Sequence, residues 1–118
     1  MELLYHLALR ANWEAALAAG SYRISSIDST LEEEGFIHCS FAGQVQGTAD
    51  RFYGGRDDVL LLEIDPERLE AEVRVEAAKP DARGFPHIYG PLPTGAVRSA
   101  TSVALGDDGL LRTGLAPG

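Results

Sequence analysis

Apolar residues fill consecutive positions in "DVLLLEI", residues 58–64, a pattern that predicts a strand buried on both faces. "LLYHLAL" (3–9) predicts an earlier strand. Between them the period changes. Asn12 is a candidate N-cap for "WEAALAA", and Gly20 can close that helix in a left-handed conformation. "SYRIS" reads as a short strand or extended loop. "STLEEEG" carries a capping-box spacing, Ser29 with Glu32, and a stop glycine at Gly35. A strand follows at 36–41, "FIHCSF". In "GQVQGTADRFYGG", Val45, Ala49 and Phe52 recur at helical spacing before a double glycine.

Downstream, "DPERL" places a proline at a turn or helix start. "EVRVEA" (72–77) and "FPHIYG" (85–90) predict two strands joined by the loop "KPDARG", and "AVRSATSVAL" (96–105) predicts a last one. Residues 106–118 read as a hairpin tip and a frayed tail. The order, β-α-turn-β-α-β-β-β-β, predicts an α+β fold with a mostly consecutive C-terminal sheet and two or three short helices. Without a repeat or linker, residues 1–118 form a single domain.

The three histidines all fall inside predicted strands. Side chains alternate across a strand, so neighbours report the face each one uses. His6 shares its face with Leu4 and Ala8. His38 shares one with Phe36 and Ser40, while the adjacent Cys39 falls with Ile37 and Phe41. His87 lies with Phe85 and Tyr89, opposite Ile88. Cys39 and His38 therefore point apart and form no thiolate–imidazole pair, and Cys39 reads as a small core hydrophobe. The histidines, with aromatic company from Phe36, Tyr89 and Tyr5 or Tyr22, predict a shared cleft in which a flat ring stacks and imidazoles orient polar groups.

Composition restricts what such a cleft serves. A chain of 118 residues with 45% apolar content suits one globular core. Eighteen acids against ten bases leave a net charge of −8, which disfavours a nucleic-acid backbone but not a small anion held locally. No apolar run is long enough to span a membrane, and the N-terminus lacks the features of a signal peptide. A single cysteine suits a reducing compartment, so a cytoplasmic location is expected.

The segments "LYHLA", "EEGFIHCS", "LLLEID" and "FPHIYGPLPTGAV" resemble, in order, those of the family catalogued as domain of unknown function 952, from residue 4 to about 97. That resemblance implies an ADP-ribosyltransferase-like fold, a split pair of small sheets. The same fold class holds diphtheria-type toxins, poly-ADP-ribose polymerases and RNA 2′-phosphotransferases, in which NAD sits between the sheets. It further implies that Tyr5 and His6 match a first motif whose imidazole bonds the nicotinamide ribose. His38 and Ser40 would line the nicotinamide pocket. The third motif commonly offers a glutamate. Here that region holds His87 and no E-x-E pattern, and Glu76 is the nearest acid that could substitute. The Gly-Thr expected after the first histidine is Leu7-Ala8 instead.

The expectation is thus a cleft that binds or processes NAD or an ADP-ribose-type nucleotide. His38, His87 and Glu76 are the candidate catalytic groups, and Tyr5, His6, Ser40 and Tyr89 the candidate ligand contacts. One imidazole would work as acid–base near neutrality. A non-catalytic nucleotide-binding module is the alternative that the missing glutamate favours. A three-histidine metal site is another, since imidazoles suit zinc, nickel and iron. No H-x-H or H-x₃-H spacing supports it, and no metal is expected. A structural or interaction role without a ligand is the last.

Overall fold

Strand β6 (Val59–Ile64) is the axis of the molecule, and both its edges are occupied. It pairs antiparallel with β1 (Leu4–Leu9) on one side and, later in the chain, with β10 (Val97–Ser102) on the other. The computed structural model describes residues 1–77, 79–80 and 82–117. Asp81 of the predicted 79–84 loop, Ala78, and Gly118 at the end of the predicted tail lie outside the described residues.

Between β1 and β6 the chain forms α1 (Arg10–Ala19), β2 (Ser21–Tyr22), β3 (Ile24–Ser26), β4 (Ser29–Thr30), α2 (Leu31–Glu34), β5 (Ile37–His38) and α3 (Val45–Phe52). After β6 come β7 (Val73–Glu76), β8 (Phe85–Ile88) and β9 (Leu92–Pro93), then β10, β11 (Ala104–Leu105) and β12 (Leu111–Arg112). The result is a mixed α+β fold with few helices and several antiparallel sheets. The expected consecutive C-terminal sheet does not form. With both edges of β6 taken, β7 cannot join it and becomes the outer strand of a second three-stranded sheet, β5-β8-β7. Three two-stranded ribbons, β2-β9, β3-β4 and β11-β12, complete the pairing.

Apolar residues on both faces of β1 and β6 generate two cores. Leu4 and Ala8 pack with Trp13 and Ala16 of α1, and with Tyr22, Ile37, Cys39, Leu62 and Ile88. Tyr5 and Leu7 pack on the opposite side with Val45 and Ala49 of α3, Tyr53, Val59 and Leu111. Each fully buried Leu or Ile contributes about 1.5–3 kcal/mol by removal from water. Leu111 is fully buried, and Gln46 of α3 bonds the Leu111 carbonyl at 2.8 Å and the Thr113 hydroxyl at 2.6 Å. The expected frayed tail is therefore docked as far as Thr113.

Helix boundaries depart from the expected caps for local reasons. Helix α1 starts directly from β1 with Leu9 as its capping position. The Arg10 amide donates to the Asp58 carbonyl (2.8 Å), so no Asn12 cap is needed. The capping box of α2 lies one residue beyond the expected pair: Thr30 Oγ1 accepts from the Glu33 amide at 3.2 Å and Glu33 accepts from the Thr30 amide at 3.0 Å. Ser29 and Glu32 instead face Ser26 and Arg23. Gly20 and Gly35 do close their helices, at φ of 88° and 87°. Among the described residues no helix is long and apolar enough to cross a membrane.

Candidate functional site

The site arises where the chain leaves one sheet for the other. Strand β5 pairs with β8 through Ile37–Ile88 and His38–His87, and the Cys39 amide still donates to the Pro86 carbonyl at 2.9 Å. An antiparallel pair in that position exchanges two bonds, but Pro86 has no N–H to return the second. The ladder stops there. One residue later, Ser40 and Tyr5 exchange both backbone bonds at 2.8 Å, so the segment passes to the edge of β1. Among the described residues the two three-stranded sheets thus meet at one isolated bridge, and the space beside it is a cleft of about 660 Å³.

Strand parity separates the neighbours His38 and Cys39 as the sequence predicts. Cys39 is buried in the core, and burial pushes its thiol well above the ordinary range. His38 faces outward. It and His87 occupy a non-hydrogen-bonded pair, the position that brings cross-strand side chains closest. Their rings lie 4.9 Å apart, edge to face. Phe36 stacks on His87 at 4.2 Å with an interplanar angle of 14° and meets Tyr89 at 5.3 Å. Desolvation, then the neighbouring His87, lowers the His38 pKa from its ordinary value.

Glu76 enters this cluster from β7. Its Oε1 lies 2.7 Å from His87 Nδ1 and accepts the Tyr89 hydroxyl at 2.5 Å. Those two hydrogen bonds, Tyr89 first, hold the Glu76 carboxyl below its usual range, and the same bond raises the Tyr89 phenol. With the carboxylate as acceptor, Nδ1 is the donor of the His87 ring. Arg74 completes the edge, with its guanidinium 4.3 Å from the Tyr89 ring centre and paired to Glu72 at 3.0 Å.

His6 stands behind the strand. Its Nδ1 donates to the His38 carbonyl at 2.5 Å and its Nε2 accepts from the Tyr22 hydroxyl at 2.8 Å. Full burial lowers its pKa to about 4, so the ring is neutral and both nitrogens are committed. Tyr22, also buried, is pushed well above the usual phenol range. His6 thus touches the cleft floor while fastening β1 and the β2 segment to β5. A three-histidine metal site would require breaking both of its bonds. Among the described residues no group of three His, Cys, Asp or Glu is placed to hold a metal ion.

The remaining walls come from β3 with its turn (Ser25–Asp28) and from α3, which contributes Thr48, Arg51 and Phe52. Ser40 Oγ lies 3.4 Å from Thr48 Oγ1, linking the bridge to that helix. Tyr5 is buried on the cleft side of β1, its hydroxyl directed at Glu63 (3.4 Å). Ser25 Oγ is fully buried without a partner, alone in this among the described residues.

All seven predicted residues line one cleft, but they divide by function. His38, His87, Glu76 and Tyr89 form one bonded and stacked cluster, Tyr5 and Ser40 form the sheet junction, and His6 supports it from behind. Sequence reasoning named Phe36 only as company and missed Thr48 and Arg51. Their i, i+3 spacing on one face of the predicted helix was the available signal.

Residues 7–100 match a protein-family model described as "Protein of unknown function (DUF952)". The crystal structure of protein CC0527 from Caulobacter crescentus is similar over 96% of both chains, at 33% identity and a TM-score of 0.84. The solution structure of the same Caulobacter protein is similar over 97% of this chain and 95% of that one, at 35% identity and a TM-score of 0.79. No match was found among curated proteins.

Proposed function

The chain belongs to the family of proteins of unknown function DUF952, and from that premise we propose that its cleft binds NAD or an ADP-ribose-type nucleotide on an ADP-ribosyltransferase-like fold. The observation that carries this reading is the convergence of Phe36, His38, His87, Tyr89 and Glu76 on one wall of a cleft of about 660 Å³. Stacked rings offer a π-face to a base or nicotinamide, and the volume falls in the range of small-ligand sites. Two small sheets that meet at one bridge support the split-sheet expectation.

Glu76 supports a chemical role beyond binding. It orients His87, and His87 Nε2 then accepts a proton from a bound nucleophile while the carboxylate steadies the imidazolium that results. His38, held toward its neutral form, supplies a second polar contact.

The test is a titration of ¹⁵N-labelled protein with NAD, read at the amides and histidine rings, followed by assay for released nicotinamide. Saturable shifts around His38 and His87 are expected. Release of nicotinamide supports the catalytic form of the reading, and saturable binding without it supports a nucleotide-holding module. Unchanged spectra at millimolar NAD overturn both.

A further inference from the structure

We propose that Arg51 and Thr48, on the face of α3 that lines the cleft, form an anion subsite for the phosphate or pyrophosphate of the ligand, on a different wall from the ring cluster. The inference deepens the nucleotide reading and rests on it for the rest of the ligand.

The first observation is an unclaimed cation. The chain carries 18 acids and ten bases, so acids are in excess for pairing. Six arginines face a carboxylate within 4.0 Å. Among the described residues Arg51 faces none. It lines the cleft, with its guanidinium 5.3 Å from the ring centre of Phe52. The helix dipole favours a cation in this last turn, but it does not account for the missing partner or for a place in the cleft wall. Guanidinium groups bind phosphate through paired, charge-assisted hydrogen bonds.

The second observation is polar capacity beside it. Thr48 lies one turn earlier on the same face and lines the cleft, its hydroxyl held only by a long 3.4 Å contact to Ser40 Oγ. Ser25 of β3, which also lines the cleft, holds the unpartnered hydroxyl described above. Phe52 is 57% exposed at the rim, an apolar ring left uncovered next to the cation. Two carboxylates share the lining. Glu76 is engaged by His87 and Tyr89, and Asp28 acts on Tyr53 without pairing to Arg51.

The experiment titrates the whole chain with ADP-ribose, adenosine and inorganic pyrophosphate, in wild type, Arg51→Gln and Arg51→Lys, with Arg68→Gln as a surface control. Loss of one arginine–phosphate contact corresponds to about a tenfold weakening. Arg51→Gln is expected to weaken ADP-ribose and pyrophosphate about tenfold, leave adenosine unchanged, and reduce the salt dependence of ADP-ribose binding. Arg51→Lys should recover part of the loss, and Arg68→Gln should match wild type. Amide spectra confirm that each variant is folded. ADP-ribose affinity in Arg51→Gln within twofold of wild type overturns the subsite and leaves the nucleotide reading standing. Pyrophosphate bound through Arg51 with no nucleotide binding supports the subsite and overturns the nucleotide reading. Absence of binding by all three probes overturns both.

Discussion

Acidification should destabilise this protein through His6 before its carboxylates titrate. The buried imidazole has a pKa of about 4 in the native state, against about 6.5 in an unfolded chain. Between those values the unfolded state holds a proton that the native state refuses, so stability falls as pH falls. The contribution is fully present above the unfolded pKa and lost progressively toward the native one. Integrating the proton difference from about pH 7 to about pH 5 gives a loss of about 2 kcal/mol, large against a typical total of about 5–15 kcal/mol. Glu32, Asp58, Glu72, Glu76 and Asp108 all have lowered pKa values, so their contributions are lost at lower pH, below the ordinary carboxylate range. His38 moves in the same direction as His6, for the same leading reason, desolvation. The two are separated by substitution. Urea denaturation at a series of pH values should give a steep slope for wild type and for His38→Gln. His6→Gln should be about 1–3 kcal/mol less stable at neutral pH, through its lost bonds to the His38 carbonyl and Tyr22, yet nearly flat in pH. A wild-type slope retained in His6→Gln, or a His6 ring signal that titrates near its ordinary value, would refute the reasoning.

Other outcomes follow from the same geometry. Glu76→Gln should stay folded with a modestly lowered melting temperature, shift the His87 tautomer away from Nδ1–H in ¹⁵N spectra, and lower any NAD turnover about a hundredfold. An unaltered His87 spectrum would sink the orienting role. Cys39 should react with a thiol reagent only as fast as the protein opens, because it is buried and its thiol is held protonated. Labelling at neutral pH as fast as in urea would contradict its core placement. Ser25→Ala should be neutral or more stable by about 1 kcal/mol, since it removes an unpartnered buried hydroxyl. A clear loss of stability in the denaturation midpoint would show that the hydroxyl has a partner in solution.

What the sequence determined by itself is local. Alternation within a strand assigned His38 to one face and Cys39 to the other, and glycines able to take positive φ marked the ends of α1 and α2. It could not say which strands are neighbours. Period-2 patterning reports the face of a side chain but carries no information on the partner across the ladder. Tertiary structure decided that β6 lies between β1 and β10, which exiled β7 to the second sheet and brought Glu76 within 2.7 Å of His87. It also decided the fate of His6. Its strand pattern matched that of the other two histidines, yet its face is the one that α1 and Tyr22 cover, so it was buried and bonded while His38 and His87 stayed at the cleft. Pairing depends on which apolar faces and free edges remain to be covered once the chain is assembled, and that competition is settled between segments far apart in sequence.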